Sequence, residues 1–178
     1  IFMRLRFTYD IVCPFAYLAS ERLEALSART GLQVQWCPVL LGGIYEHHGS
    51  DQVPAQGWAA SKLAIGARDL EQQAASQGTP WSLNPLHPQR TVSAMRLITS
   101  ATEAVRPALS RDLFRAYHVH GQDINDRAVL AEIAGRHGLD LSALDKDSIK
   151  QTLRGRTAAA AKSGVFGVPT FQLGTRLW

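Results

Sequence analysis

The residue best suited to covalent chemistry in this chain is Cys13, which opens the segment Cys13-Pro14-Phe15-Ala16. A strand-like pattern precedes Cys13 and a helical pattern follows it, so we expect the thiol at the start of a helix. Unpaired backbone N–H groups and the positive end of the helix dipole favour an anion there, which predicts a pKa below the ~8.5 of a free thiol. The pattern indicates a reactive nucleophile, and the alternative is a buried structural cysteine.

The chain has two cysteines, and the second, Cys37, lies in a strand-like segment between Trp36 and Pro38. That apolar setting indicates a core or strand-end role for Cys37. A dithiol oxidoreductase resolves its mixed disulfide with a second thiol three residues after the first, and Ala16 occupies that position here. Cys13 must therefore use an external thiol such as glutathione, or do chemistry other than net disulfide exchange.

The dipeptide Val168-Pro169 is the second notable feature, because it begins a strand-like segment near the end of the chain. Most bonds of this type are trans, but a proline at the start of a strand is a candidate for a cis peptide. We expect a cis bond lying against Cys13. It would present the backbone N–H and C=O of Val168 to an extended ligand, which would pair with them like an added strand.

Other polar residues are weaker candidates. Lys62 on a predicted helix is a surface charge unless an anionic ligand gives it a reason to face a cleft. Asn84, in a proline-rich loop, is a turn residue or, alternatively, a contact for substrate. The adjacent pair His47–His48 and the pair His118 and His120 lack the arrangement of a metal site, so we predict no bound metal.

The elements that must position these residues follow from hydrophobic periodicity. A strand, a helix from Pro14 to Gly31 and a second strand make residues 1–45 a βαβ unit with parallel strands, although Gly42-Gly43 is expected to break the pattern there. Residues 55–162 read as a helical insertion, and residues 163–178 as a β hairpin that looks incomplete at Trp178. The inward residues of the first strand would be Met3, Leu5, Phe7 and Tyr9.

Composition limits the possible partners. The chain has 178 residues, with 19 basic and 15 acidic side chains and a net charge of +4. The basic residues are scattered, so neither a nucleic-acid surface nor a membrane surface is indicated. No apolar run approaches a membrane span and no signal peptide is evident, from which we expect a cytoplasmic protein.

Four segments together resemble the DsbA-like family that contains 2-hydroxychromene-2-carboxylate isomerases and kappa-class glutathione transferases: 9–19, 38–42, 69–71 and 164–171. The resemblance covers nearly the whole chain. It implies an α/β thioredoxin-like fold (βαβ…ββα) with a large α-helical insertion. It also implies an enzyme that works as a homodimer with glutathione on a small aromatic or unsaturated substrate.

The resemblance assigns roles to particular residues. Pro169 would be cis, Val168 would bind the cysteinyl backbone of glutathione, and Lys62 would lie at the binding cleft. Pro14 and Phe15 would complete the glutathione contacts beside Cys13. The segment that binds the γ-glutamyl end would begin at Trp178.

One departure from the family leaves the function open. Isomerases and kappa transferases typically carry serine at the position of Cys13, whereas DsbA-like oxidoreductases carry cysteine there together with a second cysteine that this chain lacks. Three functions therefore compete. They are a glutathione-dependent isomerase, a monothiol-disulfide oxidoreductase in which Cys13 forms the mixed disulfide, and a non-catalytic binding module that retains the fold.

Overall fold

A computed structural model describes residues 4–178, and its centre is a four-stranded sheet. The strands lie in the order β2-β1-β3-β4, with β1 parallel to β2 and the other pairs antiparallel. Met3, which we expected in the first strand, lies outside the described residues. The strands are β1 Arg4–Tyr9, β2 Gln33–Pro38, β3 Thr170–Leu173 and β4 Arg176–Leu177.

Helices connect and cover the sheet. Two of them join β1 to β2, and the others fill the long connection from β2 to β3, which confirms the α/β fold with a helical insertion. None of the helices described between residues 4 and 178 is long and apolar enough to span a membrane. The helices are α1 Pro14–Ser20, α2 Leu23–Thr30, α3 Leu41–His47, α4 Ala60–Gln77, α5 Val92–Ser100, α6 Arg106–His118, α7 Arg127–Arg136 and α8 Asp147–Lys162.

The single helix expected from Pro14 to Gly31 is in fact two helices. The Ser20 hydroxyl donates to the Tyr17 carbonyl at 2.7 Å, and the Arg22 N–H donates to Ala19 in a tightened turn. This turn ends α1 before α2 begins at Leu23. Gly31 does end the second helix, with a positive φ of 71° that suits glycine.

The strand pattern does end before Gly42-Gly43, since β2 ends at Pro38, but both glycines lie inside α3. A Cβ atom at Gly43 would lie 2.9 Å from the Cγ2 atom of Thr157 on α8. The absence of a side chain thus lets α3 approach α8 closely. The Thr157 hydroxyl also accepts a hydrogen bond from the Leu40 N–H at 3.0 Å, which holds the start of α3 to α8.

In α4, apolar residues recur on one face from Ala60 and Leu63 to Ala74, but the burial of the helix does not follow this pattern. Leu70 and Ala74 are buried, whereas Leu63 in the first half of the helix is 45% exposed. The sequence pattern suggested one continuous apolar face over the whole helix. Only the C-terminal half packs on the domain, and the first two turns stand in solvent.

The core forms around β1. Phe7 and Tyr9 are fully buried and stack on each other with ring centroids 5.0 Å apart. Trp36 of β2 meets both rings edge-on, and Phe171 of β3 stacks on Phe7 at 5.3 Å. These contacts join three strands, so the carboxyl end of β1, from which the Cys13 turn departs, is held firmly.

Candidate active site

Cys13 is the N-cap residue of α1, and Pro14 is the first residue of the helix. The Cys13 N–H donates to the Asp10 carbonyl at 3.1 Å, which closes the turn after β1. The Cys13 thiol donates to the Val168 carbonyl at 3.2 Å, and the Val168-Pro169 peptide is cis. The structure therefore confirms that the two motifs meet, although 155 residues separate them.

The electrostatic environment of the thiol overturns the expectation of a low pKa. Cys13 is only 8% exposed, and burial raises the pKa of its thiol to about 11. The N–H groups of Ala16 and Phe15 act in the opposite direction, and the negative charge of Asp10 adds to the increase. A thiolate loses its hydration here, and a helix of seven residues does not compensate for that loss.

Asp10, at the carboxyl end of β1, is buried at 2% exposure. One carboxylate oxygen accepts the Val12 N–H at 3.2 Å, and the other accepts the N–H of Leu41, the first residue of α3, at 2.8 Å. Burial raises the pKa of this carboxyl, against the effect of its hydrogen bonds. Sequence reasoning did not single out Asp10, because one acidic residue after a strand has no distinctive spacing.

His118, at the end of α6, is a second residue that sequence reasoning did not place in the site. Its Nε2 atom lies 2.7 Å from the Ile11 carbonyl. A carbonyl can only accept, so Nε2 carries the proton. Burial lowers the pKa of His118 to about 3, which keeps the ring neutral, and the ring stacks on Tyr17 at 5.3 Å. The neutral His118 thereby supports the turn that leads to Cys13.

A narrow cleft of about 40 Å³ opens on the Pro14 side of this turn. Asn84 lies in its wall and is itself buried. The Asn84 amide donates to the carbonyls of Tyr117 and Gln122, and Asn84 Oδ1 accepts the Leu86 N–H. Its side chain thus anchors the loop that forms one wall. The lining residues are Pro14, Leu70, Trp81, Ser82, Leu83, Asn84, His87 and His118.

Lys62 lies in the exposed first half of α4, and its Nζ is 3.7 Å from the centre of the Trp58 ring. No ion pair joins Lys62 to an acidic residue within the described part of the chain. Phe15, beside Cys13, is 38% exposed. The structure thus brings together Cys13, Pro14, Phe15, Val168 and Pro169, whereas no hydrogen bond within residues 4–178 links Lys62 or Asn84 to Cys13.

Comparison with known proteins identifies the family of this chain. The family model described as the DSBA-like thioredoxin domain matches residues 4–178. The chain belongs to this family. The DSBA-like chain is 27% identical over 180 residues to glutathione S-transferase kappa 1 of Rattus norvegicus, covering 93% of this chain and 79% of that protein.

Two further matches are isomerases. The chain is 27% identical over 180 residues to 2-hydroxychromene-2-carboxylate isomerase of Pseudomonas putida, covering 99% of this chain and 88% of the relative. A solved structure of a 2-hydroxychromene-2-carboxylate isomerase superposes with a TM-score of 0.85 and 26% identity, over 99% of this chain and 88% of that one. This DSBA-like protein is therefore similar to enzymes over nearly its whole length.

The burial of Cys13 predicts slow alkylation at neutral pH. We expect the iodoacetamide rate at Cys13, measured by mass spectrometry of its peptide, to rise with a midpoint near pH 11, because burial sets the pKa of the thiol at about 11. A Cys37→Ser variant removes the competing thiol, and free glutathione in the same buffer serves as the reference. A rate that levels off below pH 9 would contradict the burial argument.

The neutral state of His118 predicts a pH-dependent stability. The pKa is about 6.5 in an unfolded chain and about 3 in the native protein, so between these values the unfolded state binds the extra proton. The contribution of the neutral His118 ring to the free energy of unfolding is complete above pH 6.5. As the pH falls below that value, this contribution decreases by about 1.4 kcal/mol per pH unit. We expect His118→Gln to remove this slope from the free energy of unfolding measured in urea. Parallel curves for the two proteins between pH 4 and pH 6 would refute the assignment.

Proposed function

We propose that this protein is a glutathione-dependent isomerase in which the Cys13 thiol stays protonated and donates a hydrogen bond to the thiolate of glutathione. The observation that carries the proposal is the buried thiol already acting as a donor, toward the Val168 carbonyl at 3.2 Å. Similarity over the whole chain to an isomerase and a glutathione transferase supports the same reaction class.

The residues around Cys13 fit an extended tripeptide. The Val168 carbonyl faces Cys13, and no hydrogen bond within residues 4–178 uses the Val168 N–H. Both groups can pair with the cysteinyl backbone of glutathione, whose thiol would then lie beside Cys13. Pro14 and Phe15 would contact the same ligand, and Lys62 would pair with one of its carboxylates. Bound glutathione would supply a thiolate able to add reversibly to an unsaturated aromatic-pathway substrate.

The protein's own contribution is orientation and charge stabilisation. A pKa of about 11 leaves about one Cys13 thiol in ten thousand ionised at pH 7, so the side chain is a poor nucleophile but a constant donor. A donor aimed at a thiolate lowers the thiolate's basicity and holds it in place. The substrate would bind at the opening of the narrow cleft beside Pro14, which has Asn84 in its wall. We also propose that the protein lies in the cytoplasm and works as a homodimer.

The second candidate function is monothiol-disulfide exchange, and the residue type at position 13 favours it. Serine cannot form a mixed disulfide, but a Cys13 thiolate could attack oxidised glutathione. A sulfur–sulfur bond would form between Cys13 and one half of oxidised glutathione while the bond within oxidised glutathione breaks, which releases a glutathione thiolate. A further glutathione would then resolve the mixed disulfide, because Ala16 has no thiol with which to do so. The buried, protonated thiol disfavours this route at neutral pH.

Substitution of Cys13 separates the two functions. We expect Cys13→Ser to keep isomerisation of 2-hydroxychromene-2-carboxylate within about tenfold of wild type, because a hydroxyl also donates. Cys13→Ala should lose about a hundredfold, as for the loss of one donor to a developing anion. Loss of all activity in the serine variant, with ready glutathionylation of the wild-type thiol by oxidised glutathione, would instead support the oxidoreductase.

Binding of glutathione tests the ligand itself. Calorimetry should show binding of glutathione and of S-methylglutathione. Lys62→Ala should weaken both about threefold to tenfold, because a carboxylate loses its cation. Lys146→Ala removes the same charge from an exposed position outside the site and should change neither affinity. No binding of either ligand would favour the non-catalytic module, and equal effects of the two lysine variants would remove Lys62 from the site.

A further inference from the structure

The loop from residue 163 to Pro169, which joins α8 to β3, has few hydrogen bonds of its own. The Val165 N–H donates to the Ala160 carbonyl at 3.1 Å and completes the end of α8. Within residues 4–178, the N–H groups of the next three residues, 166–168, donate no backbone hydrogen bond. The position of Val168 over Cys13 therefore depends on side chains that contact the loop.

Three side chains donate hydrogen bonds to carbonyl groups of this loop. Thr170 does so from the strand that the loop enters, and the Cys13 thiol donates to Val168. The third is His48, which directly follows α3, and its Nε2 atom lies 2.9 Å from the Val165 carbonyl oxygen. A carbonyl can only accept, so Nε2 of His48 carries the proton and donates. The three functions considered for the site make no use of His48.

The helix α3 can hold the loop because both ends of the helix are fixed. At its start, the Leu40 N–H donates to the Thr157 hydroxyl on α8, and the Leu41 N–H donates to the Asp10 carboxylate at the end of β1. At its end, the His48 N–H donates to carbonyls of the last turn of α3. The end of β1, α3 and the loop are thus connected by hydrogen bonds around the thiol.

Apolar packing at the same place cannot replace the His48 hydrogen bond. The Val165 side chain is buried in a small cluster with Val39, Ile44 and Ala161. Such contacts have no preferred direction, so they hold the side chain but do not orient the peptide group. A hydrogen bond is directional, and the one from His48 fixes the carbonyl of the peptide that leads toward Val168.

We propose that His48 is a positioning residue: its hydrogen bond to the Val165 carbonyl orients the loop so that Val168 covers Cys13 and presents its backbone to an extended ligand. Without this bond, the peptide after Val165 can rotate, and the Val168 carbonyl is no longer held 3.2 Å from the thiol. The consequence for glutathione rests on the proposed function, whereas the covering of the thiol can be measured without any ligand.

The test compares side chains of different reach at position 48. Glutamine places an amide N–H close to the position of His48 Nε2, asparagine carries the same amide one methylene shorter, and alanine has no donor. We expect iodoacetamide to label Cys13 at pH 8 at least fivefold faster in His48→Asn and His48→Ala, and within twofold of wild type in His48→Gln. His47→Ala is the matched control, because this exposed neighbour has no hydrogen bond within residues 4–178, and it should also label within twofold.

Cys37 in β2 is the internal reference, because general unfolding exposes both thiols whereas movement of the loop exposes only Cys13. The labelling rate of Cys37 should stay within twofold of wild type in every variant. An equal acceleration of both thiols, an unchanged Cys13 rate in His48→Ala, or a His48→Gln rate as high as that of His48→Ala would overturn the proposal. If His48→Ala does not fold, His48→Asn provides the comparison, since asparagine is well accepted at the end of a helix.

Calorimetry with glutathione extends the test to the ligand. We expect the affinity to fall at least threefold in His48→Asn and His48→Ala and to stay within twofold of wild type in His48→Gln and His47→Ala. Equal affinities in all variants would overturn the role of His48 in ligand binding. Absence of binding by the wild-type protein would overturn the proposed function and leave the labelling result unchanged, so the two proposals can fail separately.

Discussion

The pairing of β1 on both of its edges is the interaction on which the rest of the structure depends. One edge pairs with β2, which follows after a short helical connection, and the other pairs with β3 from the far end of the chain. Phe7 and Tyr9 are fully buried as a result. Because the Cys13 turn leaves the end of this strand and the cis proline begins β3, the same pairing that forms the core also assembles the site.

The site shows a competition between burial and the start of a helix. Hydrogen bonds from the first turn of α1 favour a thiolate, and their effect on pKa is real but smaller than the loss of hydration. The neighbouring Asp10 acts in the same direction as burial. A cysteine in the position of a typical nucleophile therefore has the protonation state of a hydroxyl at neutral pH, which is the physical basis for its proposed role as a hydrogen-bond donor.

Lys62, the proposed contact for a ligand carboxylate, is far more exposed than the residues packed around Cys13. Trp58 and Lys62 stand in solvent at the start of α4, held to each other by a cation–π contact that contributes about 0.5–1 kcal/mol at an exposed position. The floor, formed by Asp10, His118 and the end of β1, is buried and connected by hydrogen bonds. In the proposed function an anionic ligand would displace this weak cation–π contact and leave the hydrogen bonds of Asp10 and His118 unchanged.

The sequence by itself determined the order of the elements and the identity of the two motifs that meet. Some signals are local, because each depends on contacts within a few residues. They are the alternation in β1, the glycines Gly31 and Gly78 that end α2 and α4, and the Asp126 cap of α7. Tertiary structure alone decided that α3 continues through Gly43, since the reason is the nearness of Thr157. It also decided which half of α4 is buried. Tertiary structure also decided the pKa of Cys13 and the roles of Asp10 and His118, because desolvation depends on what packs around a group and not on its neighbours in sequence.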